Sequence, residues 1–168
     1  MKHSRVPFEA EGVRLRLLAE ADLPFTLEWR NRDGVRQQFG NAGVLQWEQH
    51  VGWFQRYREQ PDDLVFIVED ETGARVGQAA IYAIDRVAGH AEVGRFVVAP
   101  EREGKGLMRR GIAALIRFAR DELELTSVYL VVRDTNDHAR RLYERLGFAE
   151  ISRADGMIRM ERSTDGHL

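Results

Sequence analysis

A chain of 168 residues, 43% hydrophobic and 31% charged, is expected to fold as one soluble domain with a core of its own. Its formal net charge of −2 gives no global attraction to nucleic acid or to an anionic membrane, so neither is expected as a partner. With no cysteine, disulfides, thiolate nucleophiles and thiolate metal sites are excluded, and the five histidines show no ligand spacing, so no metal is expected. No apolar run approaches the roughly 20 residues of a membrane span and no secretory pattern opens the chain, which together point to a cytoplasmic protein.

Residues 1–12 read as a polar lead-in. Val13 to Leu18 alternates apolar and basic residues, as a half-buried strand does. Asp22 is placed to cap a helix that has Pro24 in its first turn and ends near Asn31. A short helical piece is expected over Val35 to Phe39, broken by Gly40 to Gly43. Leu45 to Gln60 reads as a helix with Trp47, Val51 and Phe54 as its apolar stripe. Three strands follow, over Leu64 to Glu69, Arg75 to Asp85 and Gly89 to Val98, joined by turns. Lys105 to Asp121 is a helix with Met108, Ile112, Leu115 and Ala119 on one face. Ser127 to Val132 is a nearly continuous apolar strand, expected to be buried on both faces. Asn136 to Leu146 is a helix ending at Gly147, and Phe148 to Arg153 and Met157 to Arg162 pair around Asp155-Gly156. Residues 163–168 form a flexible polar tail. This order predicts a single α/β (α+β) domain over residues 1–168, with helices on the faces of one sheet.

Two features of the middle of the chain carry functional information. Ala91 and Val93 are apolar on odd positions whereas Phe96 and Val98 are apolar on even ones, so the strand changes phase at Gly94-Arg95. A bulge there would splay the strand from its neighbour and open a slot in the sheet. Directly after it, Gly104-Lys105-Gly106 opens a helix whose first N–H groups have no intrahelical partner, a geometry suited to a phosphate. Glu92, just before the phase change and opposite in parity to Ala91 and Val93, is a candidate general base. Arg95 is a candidate for holding an anionic part of a substrate.

The stretch Val97-Val98-Ala99-Pro100-Glu101, the turn Gly104-Lys105-Gly106-Leu107, and the helix Asn136-Asp137-His138-Ala139-Arg140-Arg141-Leu142-Tyr143-Glu144-Arg145-Leu146-Gly147-Phe148 belong together. With them the segment from Gly89 to Phe148 resembles the GNAT superfamily of N-acetyltransferases, in its ribosomal-protein and amino-sugar acetyltransferase-like branch. The family pattern is Arg/Gln-x-x-Gly-x-Gly/Ala; this chain has Glu103 at the first position and Met108 at the last, the latter similar to members of the ribosomal-protein branch. The resemblance implies a mostly antiparallel sheet of about seven strands with about four helices and one splayed strand pair. It implies acetyl-coenzyme A as co-substrate. The backbone from Glu103 through Gly104, Lys105, Gly106, Leu107 and Met108 to Arg109 would take the diphosphate. Phe96, Val97 and Val98 would lie along the pantetheine arm, with Asn136, Ala139 and Arg140 lining it from the next helix. Tyr143 would be the general acid for the departing thiolate.

For the acceptor, the set Trp29-Arg30-Asn31, Arg36, His50 and Trp53 is similar to the pattern of GNAT members that acetylate nucleotide-linked amino sugars. Protein N-terminal or lysine amines and other small-molecule amines stand as alternatives, as does a non-catalytic acyl-coenzyme A sensor. A monomer or a homodimer is expected.

Overall fold

The computed structural model describes residues 7–36 and 43–166. It contains β1 (Phe8–Ala10), β2 (Val13–Leu17), α1 (Leu23–Asn31), α2 (Trp47–Arg58), β3 (Asp63–Glu69), β4 (Arg75–Asp85), β5 (His90–Val98), α3 (Leu107–Asp121), β6 (Ser127–Arg133), α4 (Asp137–Arg145), β7 (Ala149–Ala154) and β8 (Met157–Ser163). The eight strands form one sheet in the order β1-β2-β3-β4-β5-β6-β8-β7. All neighbours are antiparallel except β5 and β6, whose parallel pairing requires the α3 crossover between them. The strand beyond the expected seven is β1, which turns the supposed lead-in into a hairpin with β2 through Glu11 and Gly12. The short helical piece over Val35 to Phe39 and the break after it fall largely outside the described residues. Among the described residues no helix is long and apolar enough to cross a membrane, and no cluster of histidine, aspartate and glutamate is placed to hold a metal.

Two apolar layers sandwich the sheet. Leu64, Phe66, Ile81, Ala91 and Val93 face α3, whose Ile112, Leu115, Ile116 and Phe118 are all completely or almost completely buried. Val65, Ile67, Ala80 and Val97 face the other way, onto Leu23 and Trp29 of α1 and Phe54 and Tyr57 of α2. β3 is an apolar run because both of its faces are covered. β6 is different from expectation. Its even residues Val128, Leu130 and Val132 are buried, but Val131 is 43% exposed, because α1 and α2 do not reach over this part of the sheet. The stripe of α2 is also rotated from the one predicted: His50, Phe54 and Tyr57 are buried, while Trp47 is 44% exposed. At the C-terminus Thr164 is buried, its hydroxyl donating to the Leu125 carbonyl at 2.7 Å, so the tail is pinned past β8.

Asp22 does not act as a side-chain cap for α1. It is only 1% exposed and accepts from both terminal nitrogens of Arg16 at 2.9 Å, from Arg75 Nε at 2.8 Å and from the Ala19 N–H at 2.8 Å. Arg16 Nε continues the network to Glu69 at 3.0 Å, so one carboxylate joins β2, β3, β4 and the start of α1. Burial alone would raise the Asp22 pKa, but the hydrogen bonds of Arg16 and Arg75 outweigh it and hold it below the usual value. Its stabilising contribution is therefore complete above the unfolded carboxylate pKa near roughly 3.9 and is lost as pH falls through the lower folded value. Replacement by Asn removes the charge that Arg16 and Arg75 share, while Arg16 keeps Glu69, and Asp22→Asn should lose about 2 to 3 kcal/mol in urea unfolding at neutral pH. The variant should also show a weaker loss of stability below about pH 4 than the parent.

Candidate active site

β5 begins in register with β6 and then leaves it. Only His90, Ala91 and Glu92 pair with Ser127, Val128 and Tyr129. On its other edge β5 carries one extra residue against β4: Gln78 faces Val97, yet Ala80 faces Gly94. Arg95 takes the strain in the left-handed region at φ 55°. The phase change read from the sequence is this bulge, and beyond it the two strands part. The opening is a cleft of about 660 Å³. Glu92, Gly94, Arg95 and Phe96 line one side, and Val131, Arg133, Asn136, Tyr143 and Met157 line the other.

At the open end of the cleft the chain turns through Pro100–Arg102 into α3. Arg102 anchors this turn by donating to Asp70 at 3.0 Å, and Gly104 and Gly106 adopt φ of 78° and 71°. No side chain caps α3, and a Cβ built on either glycine would meet nothing within 4 Å. The N–H groups of Leu107, Met108 and Arg109 therefore begin a 15-residue helix without a side-chain cap. Glu103 turns to Arg32 at 3.0 Å, so its charge is met by an arginine of the α1 end and not by Arg102.

Inside the cleft, Tyr143 projects from α4 against Phe96 and Phe148, with ring centroids 6.1 and 6.2 Å away. Burial pushes its pKa up to about 12, so its hydroxyl is protonated at neutral pH. Asn136 lines the cleft and also caps α4, accepting from the Ala139 N–H at 3.2 Å. Ala139 packs against the core, and Arg140 folds back onto Asp137 and the Asp134 carbonyl. Across the cleft Glu92 accepts a hydrogen bond from the Tyr82 hydroxyl at 3.3 Å. Burial, followed by the charge of Glu92, raises the pKa of Tyr82. Tyr82 has no local signature in the sequence; only the register that sets it opposite Glu92 reveals it.

A second cavity of about 220 Å³ lies beside the cleft, lined by Thr26, Arg30, His50, Trp53, Gln78 and Arg95. Four of the predicted acceptor residues, Arg30, His50, Trp53 and Arg95, thus converge. His50 is stacked on Trp53 and bonded to the Thr26 hydroxyl at 2.8 Å; burial and then the charge of Arg30 push its pKa down to about 4. Arg95 lies 4.2 Å over the Tyr82 ring and pairs with Asp63 at 2.8 Å. The other three do not join them. Trp29 is buried at 4% exposure in the core, Asn31 clamps both backbone groups of Leu45, and Arg36 pairs with Asp33 and the Asn31 carbonyl.

Residues 13–149 match the family model of the acetyltransferase (GNAT) domain. The chain belongs to the GNAT acetyltransferase family. Spermidine N(1)-acetyltransferase of Escherichia coli K12 is 26% identical over 140 residues, covering 83% of this chain and 74% of that protein. Putative ribosomal N-acetyltransferase YdaF of Bacillus subtilis is 36% identical over 86 residues, covering 51% and 46%. The crystal structure of spermidine N-acetyltransferase from Vibrio cholerae in complex with CoA and spermine superposes with a TM-score of 0.83 at 24% identity, over 92% of this chain and 97% of that one, and has the same fold.

The protein is accordingly an acetyl-coenzyme A-dependent N-acetyltransferase, and the co-substrate supplies an acetyl group activated as a thioester. The acetyltransferase fits such a molecule on its own geometry. The uncapped α3 terminus and the two unobstructed glycines suit a diphosphate, and the gap between β5 and β6 suits an extended arm. Gly94 is the residue on which the cleft wall is most exacting, because a Cβ there would collide with the Tyr82 hydroxyl. Gly94→Ala should lower both stability and turnover by displacing Tyr82 from Glu92. Adding Tyr82→Phe should recover part of the thermal stability but not the turnover; equal stability of the single and double variants would contradict this.

Proposed function

We propose that this enzyme acetylates a primary amine borne on an anionic body, a class that includes nucleotide-linked amino sugars. The observation that supports this is the cavity beside the cleft, where Arg30 and Arg95, the latter held from outside the lining by Asp63, meet His50 and Trp53, with no carboxylate among the described lining residues. Two guanidiniums in a partly enclosed site suit a phosphate or carboxylate, and the indole of Trp53 suits a ring. A polyamine acceptor is the second reading, favoured by the relatives named as spermidine acetyltransferases. Its further ammonium groups would meet Arg95 and Arg133, with Glu92 as the one carboxylate among the described lining residues of the cleft.

In the proposed chemistry an alkyl ammonium, with a pKa near roughly 10.4, has to lose a proton before it attacks. Glu92 takes that proton at its carboxylate, directly or through water, while Tyr82 orients it. Tyr143 holds a proton on its hydroxyl at neutral pH and delivers it to the leaving sulfur. The contacts of the Tyr143 ring with Phe96 and Phe148 fix its orientation in the cleft.

Tyr143→Phe should lower kcat by about 100-fold or more while coenzyme A affinity, measured by calorimetry, stays unchanged. Glu92→Gln should move the pH–rate profile to the alkaline side, the rate climbing toward the acceptor's own pKa; an unaltered profile would remove Glu92 from the proton path. Thiol release from acetyl-coenzyme A should be followed with nucleotide-linked amino sugars, amino acids, N-terminal peptides and polyamines. Acceptors with an anionic body should give the highest kcat/KM, and Arg95→Gln should raise their KM about tenfold with little change in kcat. A higher kcat/KM for spermidine than for every anionic acceptor would establish the second reading, and thiol release with none of these amines would overturn both.

A further inference from the structure

Arg32 follows the last residue of α1 and reaches across the open end of the cleft. Its Nη1 donates to Glu103 Oε1 at 3.0 Å and its Nη2 to the Val98 carbonyl at 3.2 Å. Both partners belong to the surface that the cofactor has to use. Val98 ends β5, and Glu103 immediately precedes Gly104-Lys105-Gly106. In the antiparallel ladder the Ala99 N–H is the group that turns to β4, donating to the Val76 carbonyl, and alternation aims the Val98 carbonyl away from β4. Arg32 thus lies on the edge of β5 where an extended arm would add.

We propose that Arg32 is a cofactor-binding residue, held at the cleft mouth by Glu103 and transferred from that carboxylate to the cofactor's diphosphate on binding. The guanidinium is under-used where it stands: its Nε is buried without a hydrogen-bond partner. The carboxylate that holds it is 61% exposed, so water and salt weaken the pair. A diphosphate offers several anionic oxygens to a planar fork and is the stronger partner. This accounts for an acidic residue beside a phosphate loop. Glu103 pairs with Arg32 and is displaced by a polyanion more readily than by a single weak anion. The inference rests on the cofactor that the family uses and is independent of the acceptor.

The test is calorimetric titration of coenzyme A into the parent, Arg32→Gln, Arg32→Lys and Glu103→Gln, each at low and high salt, with thermal unfolding as a check on folding. Arg32→Gln should bind about tenfold more weakly at low salt, with a smaller gap at high salt. Arg32→Lys, which keeps the charge and loses the fork, should fall between. Glu103→Gln should bind severalfold more tightly, since the competing carboxylate is gone. Unchanged affinity in Arg32→Gln, or a loss equal at both salt concentrations, would overturn the role of Arg32. Weaker binding in Glu103→Gln would overturn the exchange. Because coenzyme A binding is read without any acceptor, these outcomes are separable from failure of the anionic-acceptor reading.

Discussion

One extra residue in β5 is the constraint on which the rest of the site depends. Arg95, forced into the left-handed region, moves β5 from one phase to the other, so Val93 faces α3 while Val97 faces α1 and α2. The same displacement ends the pairing with β6 after Glu92. Backbone groups that would have been spent on a ladder are left along the edge of a cleft, and the side chains on either side of the bulge are aimed into it. Gly94 is the complement of this arrangement, since only a residue without a Cβ lets the Tyr82 ring lie against the strand and reach Glu92.

The buried carboxylate of Asp22 governs the other wall. By gathering Arg16 and Arg75 it sets where α1 leaves the sheet, and α1 carries both Arg30 toward the smaller cavity and, just past its end, Arg32 toward the cofactor loop. A buried ion cluster is expensive to assemble and strongly directional once assembled. Here its direction is transmitted to two arginines with different tasks, which ties the acceptor side and the cofactor side to a single anchor.

What could be read from the residues themselves was whatever has a local signature. The alternation in Val13 to Leu17, the stripe of α3, the turn at Gly147 and the phase change at Gly94-Arg95 are written in neighbouring positions, and the elements appear where those patterns put them. The loop Gly104-Lys105-Gly106 and the helix after Asn136 were legible for the same reason. What escaped depends on pairing between distant segments. β1, only Phe8-Glu9-Ala10, is too short for its alternation to announce itself, and it exists because β2 offers an edge. β6 looked doubly buried, but its outer face borders the cleft. Trp29 and Asn31 have the residue types of a binding site and are spent on the core and on Leu45. Tyr82 and Arg32, conversely, gain their meaning only from register and from an inter-segment ion pair.

The parallel ladder between β5 and β6 has a consequence for how the molecule is assembled. On one side of it, β1 to β5 are joined to their sequence neighbours by antiparallel pairing, and on the other side β7 and β8 form a hairpin that docks on β6. Most pairings in the longer half therefore close short loops at low entropic cost, whereas the seam must close a loop that contains the whole of α3. The two halves meet along three residues of backbone, and the width of the cleft is set by the docking of two sub-assemblies as well as by the bulge. In mechanical terms the cleft is a joint between two plates, with α3 as the strap that holds them.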